Sequence, residues 1–196
     1  MPRRPRFLAA ALLAAALSCP AASAALVHVR VEGKTRTIFG ATEPRAAAAT
    51  ALEALEAASL GGEFYYHVTT ASFGPYVDQV GRYAASGTSG WVFKVDGVLP
   101  PVGADKVPLK DGDTVLWYWA EFGPSGGPPT LALRKKGDCY RVFEQDDAGH
   151  EAPAPGAVLH VDGRTRTASF TGTCIGPHRG LVRATAPGAV RSNALP

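Results

Sequence analysis

Several residue patterns that signal metal, membrane or catalytic chemistry are scarce in this 196-residue chain, which has only three cysteines, one methionine and five histidines. The histidines are scattered through the sequence, without the close pairs that metal sites use. They are His28, His67, His150, His160 and His178. No segment reaches the roughly 20 consecutive apolar residues that a transmembrane helix requires. The sequence therefore predicts neither a metal centre nor a membrane span.

Motifs for catalysis and phosphate binding are also missing. No loop serine has the nucleophile-elbow pattern, and the glycine-rich residues 123–127 lack the lysine and the following helix of a phosphate loop. Asp111 and Asp113 flank a glycine and suggest paired carboxylates or a cation site, but Asp-Gly-Asp in a turn needs no such role. We therefore expect no enzymatic activity, and an exported hydrolase is the least supported alternative.

The N-terminus has the pattern of an export signal. Three arginines within the first six residues precede an 11-residue apolar run at residues 7–17, and Ala22-Ser23-Ala24 is a small-residue cleavage site. We predict that residues 1–24 are removed and that the mature protein is soluble outside the cytoplasm. Lipid attachment at Cys19 and twin-arginine export are alternatives that the sequence fits less well.

Basic residues show no excess once the signal is set aside. Residues 1–24 contain three arginines and no acidic residue, which leaves 17 basic and 17 acidic residues in the remainder. No lysine- or arginine-rich stripe is left that would attract nucleic acid or an anionic membrane. The expected partners are instead a small molecule or an extracellular protein or glycan.

Two cysteines remain after the signal, Cys139 and Cys174. An even number of cysteines in an oxidising compartment favours a disulfide. A metal site or a redox role is the alternative, but the sequence offers few further ligands near either cysteine. We therefore predict a bond between Cys139 and Cys174.

Aromatic residues are concentrated in residues 89–120, where all three tryptophans lie. Trp91 and Phe93 alternate with polar or smaller residues, as in a half-buried strand, and Asp96-Gly97 is typical of a tight hairpin turn. In the next predicted strand, Trp117 shares one face with Trp119 while the other face is also bulky. Such a strand is central in its sheet, or it has one face in the core and the other at a ligand or partner.

The order of elements predicts an α+β fold. Residues 26–39 are expected to form a hairpin, and residues 46–58 a helix capped by Thr42. Further strands follow, which predicts a β-grasp-like domain over residues 25–122, after a cleaved signal peptide at residues 1–24. Residues 123–129 have linker composition, and short strand patterns over residues 130–196 predict a small, disulfide-bonded, all-β sandwich-like domain.

The first predicted domain resembles a bacterial family of exported domains of unknown function that is described as similar to the transcobalamin C-terminal domain. The matching pieces are residues 29–33, residues 50–55, Phe73-Gly74-Pro75-Tyr76-Val77, residues 90–97 and residues 109–118. The resemblance implies a β-grasp fold of the soluble-ligand-binding kind and a corrinoid as an example of a ligand. In the cobalamin carriers a helical barrel holds the other face of the corrinoid, and this sequence has no such barrel. His28 and His67 are candidate axial ligands to cobalt, although ordinary strand histidines explain them more simply.

These observations lead to one functional hypothesis and an alternative. We expect an exported, non-catalytic binding module that recognises a flat or cyclic ligand, with cobalamin or another corrinoid as the example and no other cofactor. The alternative is a cell-envelope or extracellular protein that contacts protein or glycan. The predicted ligand-binding residues are Trp91, Phe93, Trp117, Tyr118, Trp119, Phe73 and Tyr76. Each of these rings also fits a hydrophobic core, and Trp91, Tyr118 and the Phe73–Tyr76 turn are the ones expected at the surface.

Overall fold

A computed structural model describes residues 24–72, 74–124 and 126–196 of the chain. Nearly all of the predicted signal peptide, residues 1–23, lies outside the described residues. The regular structure of the described part comprises sixteen strands, one α-helix and a short 3₁₀ turn. None of the described helices is long and apolar enough to cross a membrane.

Residues 24–122, here called the N-terminal half, contain eight strands and the helix. The strands are β1 (Ala25–Glu32), β2 (Thr37–Phe39), β3 (Arg45–Ala48), β4 (Tyr66–Ala71), β5 (Gly74–Val80), β6 (Tyr83–Ala84), β7 (Ser89–Val95) and β8 (Thr114–Glu121). The α1 helix spans Ala51–Gly62. Five strands form a mixed sheet in the order β2-β1-β8-β7, with β3 also paired to β1, and β1 runs parallel to β8. Strands β4, β5 and β6 form a separate three-stranded sheet.

Alternation along β1 determines which face of the mixed sheet meets the helix. Val27, Val29 and Val31 are completely buried and belong to the same core as the buried face of α1. That helix face consists mainly of alanines, with Leu55 as its largest fully buried side chain. Because these side chains are small, the helix lies close to the sheet, and the large rings of β7 and β8 fill the rest of the core.

The helix begins five residues later than the sequence predicted. Residues 46–48 were expected to be helical but belong to β3, which pairs antiparallel with the first residues of β1. The backbone bonds to β1 outweigh the helical preference of alanine, which is only a weak constraint. The cap is Thr50, whose hydroxyl accepts a hydrogen bond from the N–H of Glu53 at 3.2 Å, and the Glu53 carboxylate accepts one from the N–H of Ala49 at 2.8 Å. The predicted cap at Thr42 is therefore wrong.

Residues 130–196, here called the C-terminal half, form two small sheets around their own core. Their strands are β9 (Thr130–Lys136), β10 (Cys139–Gln145), β11 (Glu151–Pro153), β12 (Val158–Val161), β13 (Arg164–Thr167), β14 (Thr173–Cys174), β15 (Val182–Thr185) and β16 (Ala194–Leu195). One sheet contains β9, β10, β11 and β14, and the other has the order β13-β12-β15-β16. The predicted disulfide is confirmed: Cys139 and Cys174 are bonded and face each other in register on β10 and β14.

The C-terminal half covers the face of β8 that the helix does not. Leu116, Tyr118 and Ala120 point to this face and form a third apolar cluster with Val190 of the C-terminal half. Lys94 on β7 is also enclosed here, and its Nζ donates a hydrogen bond to the carbonyl of Asp146 at 2.7 Å. Burial lowers the pKa of Lys94, while the nearby Asp147 carboxylate opposes this change. Strand β8 is bulky on both faces because each face packs against a hydrophobic cluster.

A buried ion cluster joins the two halves beside this apolar contact. The Glu32 carboxylate is 1% exposed and contacts three guanidinium groups. Arg30 comes from the same strand, whereas Arg183 and Arg191 come from the C-terminal half. Arg191 Nε lies 3.1 Å from Glu32 Oε2, and Arg30 donates a 2.6 Å hydrogen bond to the carbonyl of Arg191. The cluster holds β1 against the strand and loop that carry the two distant arginines.

The predicted fold class is wrong. An α+β β-grasp-like domain followed by a separate sandwich was expected, but the described residues form a mostly β protein with four sheets and one 12-residue helix. Three differences account for this. Part of the predicted helix is the strand β3, and the β4–β5 hairpin forms a sheet of its own. In addition, the C-terminal half packs directly on the mixed sheet.

The burial of Tyr118 predicts a loss of stability at alkaline pH. Burial raises the pKa of Tyr118 well above its usual value, and the Asp147 carboxylate raises it further. The phenol therefore keeps its proton in the folded protein after it has ionised in the unfolded chain. Its contribution is complete below about pH 10 and is lost as the pH rises from there towards the folded pKa, by about 1.4 kcal/mol per pH unit.

Urea unfolding of the wild type and of Tyr118→Phe between pH 8 and 11 measures this contribution. The wild type is expected to lose stability above about pH 10 more steeply than the variant, because Tyr118→Phe removes the linked proton. Equal slopes for the two proteins would contradict the assignment to Tyr118.

Candidate functional site

An apolar cleft of about 540 Å³ lies beside β7, at the edge of the mixed sheet. Its walls come from α1, β5 and the segment between β7 and β8. The lining residues are Leu52, residues 75–77, residues 91–93, residues 99–104, Lys106 and Trp117. Four segments that are distant in sequence therefore form one concave surface.

One wall exists because the chain leaves β7 through a tight turn. Asp96 and Gly97 both have positive φ, and Val95 and Val98 exchange two backbone hydrogen bonds. The predicted hairpin turn is thus confirmed, but the returning chain does not continue as a strand. The N–H of Leu99 donates to the carbonyl of Asp147, and Pro100 and Pro101 have no N–H to give to β7. The chain diverges from β7 and leaves the cleft open.

The opposite wall is β5, which is attached to β7 through a side chain. The Tyr76 hydroxyl accepts a hydrogen bond from the backbone N–H of Trp91. Gly90 makes this approach feasible, because a methyl group at that position would lie only 2.5 Å from Tyr76 Oη. Burial raises the pKa of Tyr76, which keeps the hydroxyl neutral. The contact fixes the distance between β5 and β7 at one end of the cleft.

The floor of the cleft consists of aromatic rings that are held in fixed positions. Phe93 and Trp117 stack with a centroid separation of 5.0 Å. Trp91 Nε1 donates to the carbonyl of Tyr83 at 2.8 Å, and Trp117 Nε1 donates to the carbonyl of Ala51 at 3.0 Å. Since both indole N–H groups are already bonded within the protein, the floor offers a ligand apolar contact.

The structure brings together four of the seven predicted ligand-binding residues. Trp91, Phe93, Trp117 and Tyr76 line the cleft. Tyr118 lies on the opposite face of β8, beneath the C-terminal half. Trp119 packs edge-on against Trp91 and lines a smaller cavity of about 380 Å³ between the halves. Phe73 lies outside the described residues. A ligand at these residues stays a prediction.

The expectation that Trp91 and Tyr118 are surface residues is wrong. Their side chains are 2% and 1% exposed, respectively. Trp91 shows only a small part of its ring to the cleft, and Tyr118 is covered by the C-terminal half. The open surface beside the rings is the cleft, so a ligand would meet ring edges and the apolar walls.

Several cleft residues were not singled out from the sequence. Leu52 looked like an ordinary core position of the helix, and residues 99–104 were predicted only as an irregular, proline-rich connection. The one usable signal was Pro100-Pro101 directly after a strand at a sheet edge, which marks a chain that cannot pair with its neighbour. Lys106 is the only charged residue among the described lining residues.

The other candidate side chains form hydrogen bonds to other groups of the protein. His28 Nδ1 lies 2.8 Å from the carbonyl of Glu43. His67 Nδ1 lies 2.7 Å from the carboxylate of Asp78 on the neighbouring strand β5. The carboxylate of Asp111 accepts from a backbone N–H of β1. Over the part of the chain that the structure describes, no three His, Cys, Asp or Glu side chains gather as a metal site would require.

The segment that carries the cleft matches a known family model. Residues 48–121 match a family described as a domain of unknown function, DUF4430. All the lining residues fall within this segment. The resemblance to a family of domains of unknown function is thereby confirmed for this part of the chain, whereas the likeness to transcobalamin stays a prediction.

Among solved structures, the chain is similar to a protein from Ruminococcus gnavus that is provisionally described as metal-binding. The sequences are 18% identical, and the alignment covers 50% of this chain and 97% of that one with a TM-score of 0.37. This likeness is too low to carry an argument about fold or ligand. No curated protein matches the chain.

Proposed function

We propose that this protein is an exported, non-catalytic binding module whose cleft beside β7 holds an apolar part of its ligand. The observation that carries the proposal is a concave, mostly apolar surface on a floor of fixed aromatic rings. Small-molecule sites are typically of this kind, with volumes of about 300–1,000 Å³ and few polar groups. The cleft volume of about 540 Å³ lies within that range.

The chemistry of the lining favours binding over catalysis. Lys106 and Tyr76 are the only titratable side chains among the described lining residues. The Tyr76 hydroxyl is neutral and engaged by the backbone of β7. The described lining contains no histidine, carboxylate, serine or cysteine, the side chains that most often act as a general base or a nucleophile.

Export is supported by the disulfide between Cys139 and Cys174. Such bonds form and persist in oxidising compartments outside the cytoplasm. The N-terminal residues that would direct export are those of the predicted signal peptide. The ligand would accordingly be one that the protein meets in the cell envelope or outside the cell.

A flat or cyclic apolar group is the ligand chemistry that the cleft fits best. Its two walls, β5 and residues 99–104, leave a slot in which a ring contacts the edges of Phe93 and Trp117. A corrinoid is the ligand implied by the transcobalamin resemblance, and it would enter this slot only by an edge because the ring faces of the floor are covered. Cobalamin is therefore one arm of the test.

A paired substitution on α1 tests whether the cleft is the binding site. Leu52 lines the cleft, whereas Leu60 on the same helix is 76% exposed and lies outside it. Leu52→Phe is expected to weaken binding of the dye anilinonaphthalene sulfonate at least about tenfold, because the larger ring narrows the slot by more than one methylene group would. Leu60→Phe, the matched control, should bind the dye like the wild type.

Dye fluorescence measures both variants, and displacement by cyanocobalamin is recorded in the same experiment. Displacement of the dye at micromolar cyanocobalamin would support a corrinoid as the ligand. Failure to displace the dye would exclude cobalamin as the ligand but would not contradict the cleft as the binding site. Equal dye affinity in Leu52→Phe, Leu60→Phe and the wild type would contradict the cleft as the binding site.

A further inference from the structure

We infer that the occupant of the cleft is the C-terminal end of an extended peptide, which adds to β7 as a further strand. This inference rests on the proposed function because it uses the same cleft. It specifies the ligand class more closely than the apolar lining alone does. The supporting observations are the backbone of β7, the course of the cleft and the charge of Lys106, the only charged residue in the described lining.

Among the described strands, none pairs with the outer edge of β7 in the sheet. Two bonds fix which residues face β8: Asp96 donates to the carbonyl of Thr114, and Phe122 donates to the carbonyl of Thr88. Backbone direction alternates along an antiparallel pair, so the even-numbered residues of β7 bond to β8. The N–H and C=O groups of Trp91 and Phe93 therefore point outward into the cleft.

The two ends of this edge are closed, and its middle is open. At one end Ser89 exchanges two bonds with Ser86, and at the other Val95 exchanges two with Val98. Between these ends, the Trp91 N–H is taken by the Tyr76 hydroxyl. Within the described part of the chain, no backbone partner is recorded for the N–H and C=O of Phe93 or for the C=O of Trp91.

These open groups border the apolar cleft. Phe93 is only 8% exposed, and its neighbours in the cleft are apolar. A buried backbone group without a partner costs free energy comparable to a lost hydrogen bond. A ligand that supplies two N–H donors, for the C=O groups of Trp91 and Phe93, and one C=O acceptor, for the N–H of Phe93, would remove this cost. An extended peptide presents these groups at the spacing of a strand.

The cleft follows the edge of the sheet. Trp91 and Phe93 point to the helix side of the sheet and Val92 to the opposite side, yet all three line the cleft. A ligand stacked on one face would not reach Val92. The open stretch is about three residues long, or roughly 10 Å at the rise of a strand, which suits a short peptide.

Charge indicates which end of the peptide enters. Lys106 is exposed at the rim, and no carboxylate is present among the described lining residues. Its Nζ lies near the start of β5, 3.9 Å from where a side chain at Gly74 would begin. A free C-terminal carboxylate complements this cation, and apolar side chains on the preceding residues suit the walls formed by Leu52, Val77 and Val102.

Calorimetry with the protein lacking residues 1–24 tests the inference with defined probes. The probes are three acetylated tetrapeptides with a free carboxyl terminus, of the form Thr-Val-Thr followed by Val, Leu or Phe. At least one is expected to bind with a Kd below about 1 mM. Two derivatives of the best peptide are each N-methylated at one of two adjacent residues, so that one loses the N–H that faces Phe93 and the other loses an N–H that points away from β7. The first derivative should bind at least about tenfold more weakly, and the second within about threefold of the parent.

The carboxylate is tested by amidating the same peptide. Amidation should weaken binding to the wild type severalfold, and in Lys106→Gln the free acid and the amide should bind equally. Lys110→Gln, an exposed lysine outside the cleft, is the matched control and should keep the difference.

No binding by any of the peptides, or equal binding by the parent and both methylated derivatives, would overturn strand addition. Neither outcome would affect dye binding in the cleft or its loss in Leu52→Phe, so failure of this inference is distinguishable from failure of the proposed function.

Discussion

Glu32→Gln is expected to lower the free energy of unfolding by about 3 kcal/mol, because removing one member of a buried ion pair leaves its partners without compensation. The carboxylate is 1% exposed and contacts Arg30, Arg183 and Arg191. Glutamine has nearly the same shape, so packing is retained. What changes is the charge: three guanidinium groups would remain close together, and only Arg30 would keep a carboxylate partner, Glu43.

The cost should appear mainly at the junction of the two halves. Arg183 and Arg191 are held by Glu32 against β1, and Arg30 has a second carboxylate partner in Glu43 at 3.1 Å. Burial lowers the pKa of Arg183, and the neighbouring guanidinium groups act in the same direction while Glu32 opposes them. Without the Glu32 carboxylate, the distant arginines would be driven towards solvent, and the contact between the halves would loosen.

Guanidinium chloride unfolding of the wild type and Glu32→Gln measures this effect. The matched control is Glu121→Gln, which breaks the exposed Lys34–Glu121 pair. Exposed pairs of this kind contribute little, so the control should unfold like the wild type. A Glu32→Gln protein as stable as the control would show that the cluster contributes only to the choice of conformation.

Removing the disulfide is the second change with a large expected effect. In the double variant Cys139→Ser/Cys174→Ser, the free energy of unfolding is expected to fall by about 3 kcal/mol, since the bond closes a loop of intermediate length in the unfolded chain. The cysteines are separated by 35 residues in sequence. The loop includes most of the strands of the C-terminal half, whose core is small.

The loss should be concentrated in that half. Small domains bury a limited fraction of their surface and therefore depend on such bonds. Hydrogen exchange is expected to show lower protection for amides of β10 and β12 than for amides of β1 and β8. A single Cys139→Ala variant under reducing conditions serves as the control for the substitution itself. Equal melting of the oxidised and reduced wild type would contradict the prediction.

Local features were predictable from the sequence because they depend on neighbouring residues. The Asp96-Gly97 turn needs two residues that tolerate positive φ, and both are present. The hairpin of β1 and β2 follows from alternation around a short turn. The disulfide follows from the number of cysteines that remain after the predicted signal.

Long-range features were not predictable in the same way. The chain around Ala48 is a good helix former by composition, and its strand conformation depends on bonds to Ala25, which is distant in sequence. Tyr118 looked available for a ligand because nothing in the sequence shows that Val190 covers it. The cleft also depends on where Pro100 leads the chain, which is determined by a bond to the C-terminal half.

The sequence therefore shows where the bulky rings are concentrated, but it does not show that they are buried. The helix and the C-terminal half together enclose most of them, so recognition by exposed ring faces does not fit the structure. The apolar cleft beside Phe93 and Trp117 is the binding site that we propose, and the rings form its floor.

The enclosure of β8 on both sides means that the boundary of the matched family segment, at residue 121, is not a place where this chain can be cut. An excised fragment ending there would present Leu116 and Tyr118 to water and would leave Lys94 and Glu32 without the groups that satisfy them. The segment that matches the family is therefore shorter than the unit that we expect to fold. Any shortened version made for study must keep both halves.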